Sequence, residues 1–411
     1  MQIQLSRYVS AEPELLVGGL PEGADALVFT KALAKRGGRG VFIARDESRA
    51  AAFIAACQFF APELPVLSIP AWDCLPYDRI SPSRRLAARR AAALHMLRLT
   101  PSDKPMIIVT TASGAMQKVP PRSIIDKAGF QASKGQSVPR EQLQKYLADN
   151  GYSRASTVME PGDFAIRGGL IDVFPPALEN PIRLDFFGDE LESIRSFDVE
   201  TQRTITTQDS VHLAPVSEVL MSETSISVFR KNYIAAFGGG VSKDPIYAAI
   251  AEGIRPQGVE HYLPLFYGHL EALFDYIGPE ALIACDGLLA ESRHERWDLI
   301  EDFYSSRQSY VEQKDSGSGD PAKVAGVYRP LETSALYIGG EDWESCLSGF
   351  LRRNHTPFSP PDTDNKIDFG AQLGRSFSAE RRTEGVNVFE ALVHYVNTCL
   401  LYTSPSPRDR G

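Results

Sequence analysis

A turn that could cradle phosphates lies near the start of this sequence. Gly18-Gly19-Leu20-Pro21-Glu22-Gly23-Ala24-Asp25 sits between a strand-like run and a helix-like run, and Gly18-x4-Gly23 fits the glycine spacing of G-x-x-x-x-G-K-[ST]. In that motif a lysine reaches the β- and γ-phosphates and a hydroxyl binds Mg²⁺. Here Ala24 stands at the lysine position and Asp25 at the hydroxyl position. A carboxylate there repels a triphosphate, and Glu22 adds a second negative charge. Two readings follow: a working nucleotide site, or a surviving turn in a P-loop-like fold that has lost its chemistry. The charges favour the second. Ala281 to Asp286 has the outline of a Walker B strand, but Gly287 rather than an acid follows, so Asp286 is expected to cap the next helix. No Ser/His/Asp or Cys/His grouping recurs at suggestive spacing. The five cysteines are scattered and the seven histidines lack ligand spacing, so neither a metal site, a disulfide framework nor a catalytic centre is expected.

Binding chemistry is better represented. In Pro181 to Phe187, strand alternation puts Ile182, Leu184 and Phe186 on one face and Arg183, Asp185 and Phe187 on the other. An exposed phenylalanine beside an arginine is typical of a binding hot spot. The alternative is that Phe187 packs under a neighbouring element and Arg183 merely pairs with Asp185. A second group, Arg84, Arg85, Arg89, Arg90 and Arg98, lies on one helix-forming run. Arg85 and Arg89 are four apart and share a face, suited to a phosphate backbone or simply to solvent.

The elements that must position these residues change character along the chain. The first 120 residues alternate strands (Leu15 to Val17, Val41 to Ala44, Val66 to Ile69, Met106 to Thr110) with helices (Ala26 to Lys35, Asp46 to Phe60, Arg84 to Leu99), which implies a parallel sheet with helices on its faces. From about Gly135 to Thr206 short strands with Gly, Pro and Asn turns take over, and Gly188-Asp189 is placed as a hairpin turn. The α/β pattern then resumes with Ala281 to Ala284 and a helix from Leu288 to Arg307. The fold class expected is α/β: a degenerate P-loop-like domain (1–134 and 207–312) interrupted by a β-rich inserted domain (135–206). A linker (313–327), the start of a small third α/β domain (328–398) and a tail (399–411) follow. Asn387 and Glu390 form a capping pair for the last helix, whose Phe389, Leu392, Val393 and Val396 follow helical spacing. The Tyr262 to Tyr267 run is read as core or a domain interface.

With 411 residues, 43% hydrophobic and 23% charged, the composition is that of a globular protein of about two to four domains. A net charge of −9 argues against coating nucleic acid over the whole surface and leaves local basic patches open. No run of about 18 apolar residues predicts a membrane span, no secretory signal is evident, and the cysteine usage fits a reducing cytoplasm.

EPGDFAIRGGLIDVFPP, RLDFFGDELESIR and FDVETQR, all within Met159 to Thr204, resemble the UvrB-homology module of the bacterial transcription-repair coupling factor (Mfd) family. UvrB itself has a related module. Glu160-Pro161-Gly162 leading in and Gly168-Gly169 after Arg167 favour the coupling factors. The Ile69-Pro70-Ala71-Trp72-Asp73-Cys74-Leu75-Pro76-Tyr77-Asp78 segment is also similar, and the resemblance covers Met1 to about Thr398. It implies that Arg167, Arg183 and Phe187 bind UvrA, the damage-recognition ATPase of excision repair, with Arg195 and Arg203 at the rim. DNA as a local partner through Arg85 and Arg89 rests on their shared helix face alone, with a solvated face as the alternative. Members of the family move along DNA with ATP and Mg²⁺ and displace stalled RNA polymerase using further domains. This chain is expected to carry UvrA recruitment alone, with no cofactor, no catalysis and no polymerase contact of its own. Residues after about Thr398 are expected to lie outside family sequence, with a natural short linker as the alternative. The rival functions are a UvrB-like nucleotide-binding repair subunit and a residual NTPase.

Overall fold

Short apolar runs bounded by Gly and Pro have two ways to bury both faces: side by side under helices, or rolled into an antiparallel layer. This chain uses both. The computed structural model describes residues 2–238, 244–315, 328–383 and 385–403. In chain order the strands are β1 (Glu14–Gly18), β2 (Arg39–Ala44), β3 (Val66–Ile69), β4 (Met106–Thr111), β5 (Phe130–Ser133), β6 (Ser153–Arg154), β7 (Asp163–Arg167), β8 (Leu170–Val173), β9 (Ile182–Phe187), β10 (Glu190–Phe197), β11 (Thr204–Gln208), β12 (Ser210–Leu213), β13 (Leu282–Cys285), β14 (Leu351–His355) and β15 (Lys366–Asp368).

A seven-stranded sheet in the order β15-β1-β14-β13-β2-β4-β3 is parallel throughout. Every residue of β2, β4 and β13 is buried, which is why they read as continuous apolar runs rather than alternating ones. The helices Ala24–Arg36, Glu47–Phe60 and Arg84–Leu99 form where the periodicity places them. Asp46 caps the second of these by accepting from the Arg49 N–H at 2.7 Å.

A second sheet, β11-β10-β9-β8-β7-β6, is antiparallel except for β6 against β7. It is the inserted module. The pair β5–β12 joins 130–133 to 210–213, so the strands that frame the insert lie a few residues outside the expected 135–206 window. Gly188, at φ +63°, turns β9 into β10 as expected. Ile182, Leu184 and Phe186 pack with Leu143, Leu147, Tyr152 and Val211 in a core of the module's own.

The expected third unit at 328–398 is corrected in part. β14 lies between β1 and β13, and β15 pairs with β1 on its other side, so 351–368 complete the first sheet. The reason the pattern concealed this is polarity: β14 reads LRRNH, and its Arg353 is fully buried. The Arg353 guanidinium is spent on main-chain carbonyls of Tyr8, Ser10 and Glu12 at 2.5–2.9 Å. The helix placed at Leu288 to Arg307 runs from Leu289 to Asp315. Of the expected linker 313–327, residues 316–327 lie outside the described residues. The last helix, Val388–Thr403, starts at the Asn387/Glu390 pair, and Asn387 Oδ1 accepts from the Phe389 N–H at 3.0 Å. Of the tail, 404–411 lie outside the described residues.

Candidate functional site

The outer face of the inserted sheet is set by register. Asp172, Arg183, Arg195 and Thr207 lie opposite one another across β8, β9, β10 and β11. Arg183 grips Asp172 with two hydrogen bonds, Nε to Oδ1 at 2.7 Å and Nη2 to Oδ2 at 2.8 Å. Its guanidinium lies 4.6 Å from the centroid of the Phe197 ring. Phe197 belongs to a small apolar cluster with Val158, Ala165 and Phe174 on this side of the sheet. Arg183 is therefore mostly covered, with 18% of its side chain exposed, and the Asp172 side chain is 3% exposed. Asp185 is not its partner: Asp185 accepts from Arg195 at 2.8 Å. The hydrogen bond that Arg183 donates to Asp172 also holds its pKa above the usual value, so the guanidinium stays charged.

Phe187 packs under nothing. It is 75% exposed at the end of β9, beside the Gly188-Asp189 turn. β7 and β9 run in the same direction, each antiparallel to β8, so Arg167 at the end of β7 emerges at the same end of the sheet. The two hairpin tips are tied together by the Phe186 N–H donating to the Gly169 carbonyl at 2.9 Å. Arg140 donates to the Gly168 carbonyl at 3.1 Å. Arg167 is exposed and donates to the Ser156 carbonyl and the Thr157 hydroxyl at 3.0 and 2.9 Å. The three residues share a face by parity, but Arg183 sits four residues back along β9 from Phe187, roughly 13 Å away. Arg167 and Phe187 thus make the tip and Arg183 the middle of the face. Arg195 is half-buried on β10, and Arg203 is exposed in the turn where its carbonyl accepts from the Asp198 N–H at 2.9 Å.

A buried ion pair that the residue pattern did not signal holds the module on the main domain. Arg90, fully buried, donates to both oxygens of Glu218 at 3.1 Å and to the Pro70 carbonyl at 2.7 Å. The Trp72 indole N–H donates to the same carboxylate at 2.8 Å. Glu218 lies just beyond the insert's exit strand, and Arg84 bridges to Asp163 at 2.9 Å, so the arginine helix is pinned to the insert at two places. The one sequence cue was Trp72, a large side chain in a proline-rich turn.

Of the five arginines on that helix, Arg84, Arg90 and Arg98 have carboxylate partners. Arg85 and Arg89 are exposed and, among the described residues, make no hydrogen bond or ion pair.

The phosphate-cradle turn is filled by its own chain. The N–H groups of Gly19 and Leu20 donate to the carbonyls of Phe358 and Thr356, each at 3.0 Å. Gly23 and Ala26 donate to Asp25 Oδ1 at 2.9 and 2.8 Å, and Ala24 and Asp25 donate to the Pro21 carbonyl. A Cβ on Gly18 would lie 2.2 Å from Cδ of Pro360, so the 356–360 segment packs directly on the turn. Asp25 is buried and ion-paired with Arg49, whose Nε also donates to Asp286 at 2.9 Å. Arg45 joins Asp286 at 3.3 Å and Glu22 at 2.7 Å. Asp286 does receive the Leu288 N–H at 3.1 Å, as a cap should, but its main partners are these guanidinium groups. An internal arginine thus stands between the acids of the two motif remnants. Burial still pushes the Asp25 pKa upward, with Arg49 acting against it.

Among the described residues no group of three His, Cys, Asp or Glu side chains could hold a metal, and no helix is long and apolar enough to cross a membrane. The UvrB interaction domain model matches residues 130–218, the framed insert with its exit. The chain is 33% identical to the transcription-repair-coupling factor of Escherichia coli K12 over 294 residues, 71% of this chain and 25% of that protein. The Haemophilus influenzae protein of the same name is 31% identical over 73% of this chain and 25% of its own length. That of Bacillus subtilis is 27% identical over 66% and 24%. The chain spans about a quarter of the length of these curated relatives.

Proposed function

We propose that this chain, 33% identical to a transcription-repair-coupling factor over 71% of its length, recruits UvrA through the outer face of the inserted sheet. One observation carries the reading: within the residues matched as a UvrB interaction domain, an exposed phenylalanine and an exposed arginine sit on adjacent hairpin tips. Phe187 supplies an aromatic anchor, Arg167 a cation at its side, and Arg183 a guanidinium held flat by Asp172 and Phe197. Arg195 and Arg203 form the rim. The polypeptide works in the cytoplasm, where excision repair meets transcription.

The filled cradle supports the further reading that the Gly18–Asp25 turn neither binds nor hydrolyses ATP. ATP and Mg²⁺ would serve motor domains of the longer relatives, and displacement of RNA polymerase is assigned to those domains as well. A second contact, with DNA phosphates through Arg85 and Arg89, is favoured by their lack of protein partners. The test is a calorimetric titration of UvrA into this chain and its Phe187→Ala and Arg167→Ala variants. Weakened binding with unchanged folding supports the surface; equal affinity for all three proteins removes it.

A further inference from the structure

A cavity of about 420 Å³ opens at the C-terminal ends of β2, β3 and β4, on the far side of β2 from the filled turn. Crevices at this edge of a parallel sheet are where open α/β folds take ligands. Its walls include Arg45, Arg89 and Arg296, the hydroxyl side chains Ser68 and Ser113, and the Trp72 ring. Arg296 comes from the helix Leu289–Asp315 and is only partly exposed. Its Nε is sealed from solvent and has no acceptor, and among the described residues Arg296 makes no hydrogen bond or ion pair. A guanidinium taken out of water without a partner is costly, and such a group calls for an explanation. Burial pushes its pKa down, with only Tyr337 and Cys74 acting the other way. Arg89, on the helix Arg84–Leu99, also lines the cavity and is likewise unpaired among the described residues.

Three carboxylates also line the cavity, and each already has donors. Asp46 accepts from the Arg49 N–H, Asp73 from the Ser83 N–H, and Glu47 from the Ala71 N–H and the Thr111 hydroxyl. Arg45 is committed to Asp286 and Glu22. Arg45 also pairs with Asp46 at 3.5 Å, so Arg89 and Arg296 are the two guanidinium groups of the lining without a carboxylate partner among the described residues, while Glu47 and Asp73 keep their charge under neutral donors. Apolar walls from Ile54 and Leu86, with Trp72, leave room for a flat ring beside the anion.

We propose that this crevice binds the phosphate ester of a nucleotide unit, with Arg296 and Arg89, carried by two different helices, as its guanidinium partners. The site shares Arg89 with the helix-face contact suggested above but does not depend on it, because Arg296 lies on another helix and Arg85 takes no part in the cavity. The ester could come from a free nucleotide or from a nucleic-acid strand.

The whole chain is titrated, at about 50 mM salt, against a fluorescein-labelled single-stranded oligonucleotide, with adenosine monophosphate as competitor. Arg296→Met and Arg89→Gln are each expected to weaken binding by about tenfold, and Arg85→Gln by less than about threefold. Arg296→Met removes an uncompensated charge while keeping an unbranched stem in place of the arginine's aliphatic part, so its melting temperature is expected not to fall. Displacement by the mononucleotide assigns the site to free nucleotides; persistence of the complex assigns it to a strand. Wild-type affinity in Arg296→Met, or no binding of either probe, overturns the proposal. If Arg85→Gln alone weakens binding, the helix face is the contact and the crevice is not.

Discussion

The turn at Gly18–Asp25 and the hairpin tips at Arg167 and Phe187 are made from the same materials, glycine turns beside guanidinium groups and carboxylates, yet they end in opposite states. At the turn, the donors of Gly19 to Ala26 are used internally, and Asp25 and Asp286 share the buried Arg49, with Arg45 as a second cation on Asp286. At the tips, a phenylalanine and an arginine stand in solvent on a rigid antiparallel ladder. A residue pattern reports what chemistry a segment could do. Whether it is free to do it depends on where its hydrogen bonds already go.

The largest test of this contrast is to empty the filled site. Arg49→Ala leaves Asp25 and Asp286 buried without their shared cation, and the loss of stability is expected to be on the order of 3–5 kcal/mol, read by urea denaturation. The pH dependence has a definite sign. Asp25 already has a raised folded pKa, and losing Arg49 raises it further, so the folded state then binds more protons than the unfolded one. The variant should regain stability as the pH falls from 7 through that raised pKa towards the ordinary Asp range, about 3.9. A variant that only loses stability on acidification would contradict this.

Next comes Arg183→Ala, which blurs the contrast because Arg183 is both scaffold and surface. It strands Asp172 and removes the cover over Phe197, so a destabilisation of about 3 kcal/mol is expected together with weaker UvrA binding. Unchanged denaturation would mean that the Asp172 pair contributes nothing. Phe187→Ala separates the two roles: stability within about 0.5 kcal/mol of the parent, and UvrA affinity lower by about 2 kcal/mol, roughly thirtyfold. The smallest effect belongs to Arg85→Ala. Its stability should match the parent, and any DNA affinity should fall about threefold with a shallower salt dependence; a steep loss would promote that helix face to a principal site.

Much of this arrangement was legible in the residues, and the gaps have physical causes. The apolar strands β2, β4 and β13 and their glycine and proline boundaries were readable because both faces are buried. So was the parity of β9, since one face packs on a core. β14 was not, because a central strand whose arginine is satisfied by main-chain carbonyls does not look apolar. The partner of Arg183 was also hidden. Residues directly opposite on neighbouring strands approach within about 5.5 Å, closer than i and i+2 on one strand, so Asp172 wins over Asp185; which residues lie opposite depends on register, which no local pattern encodes. The bridge from Asp25 through Arg49 to Asp286 spans sequence separations of 24 and then 237 residues, and no spacing signals it.

The central claim is that the working part of this chain is the exposed tip of the inserted sheet and not the nucleotide-like turn. It is tested most directly by isothermal titration of UvrA into the parent chain and Phe187→Ala, with the melting temperature of each measured in the same buffer. The account predicts equal melting temperatures and a roughly thirtyfold loss of affinity for the variant. Equal affinity at equal melting temperature would contradict it.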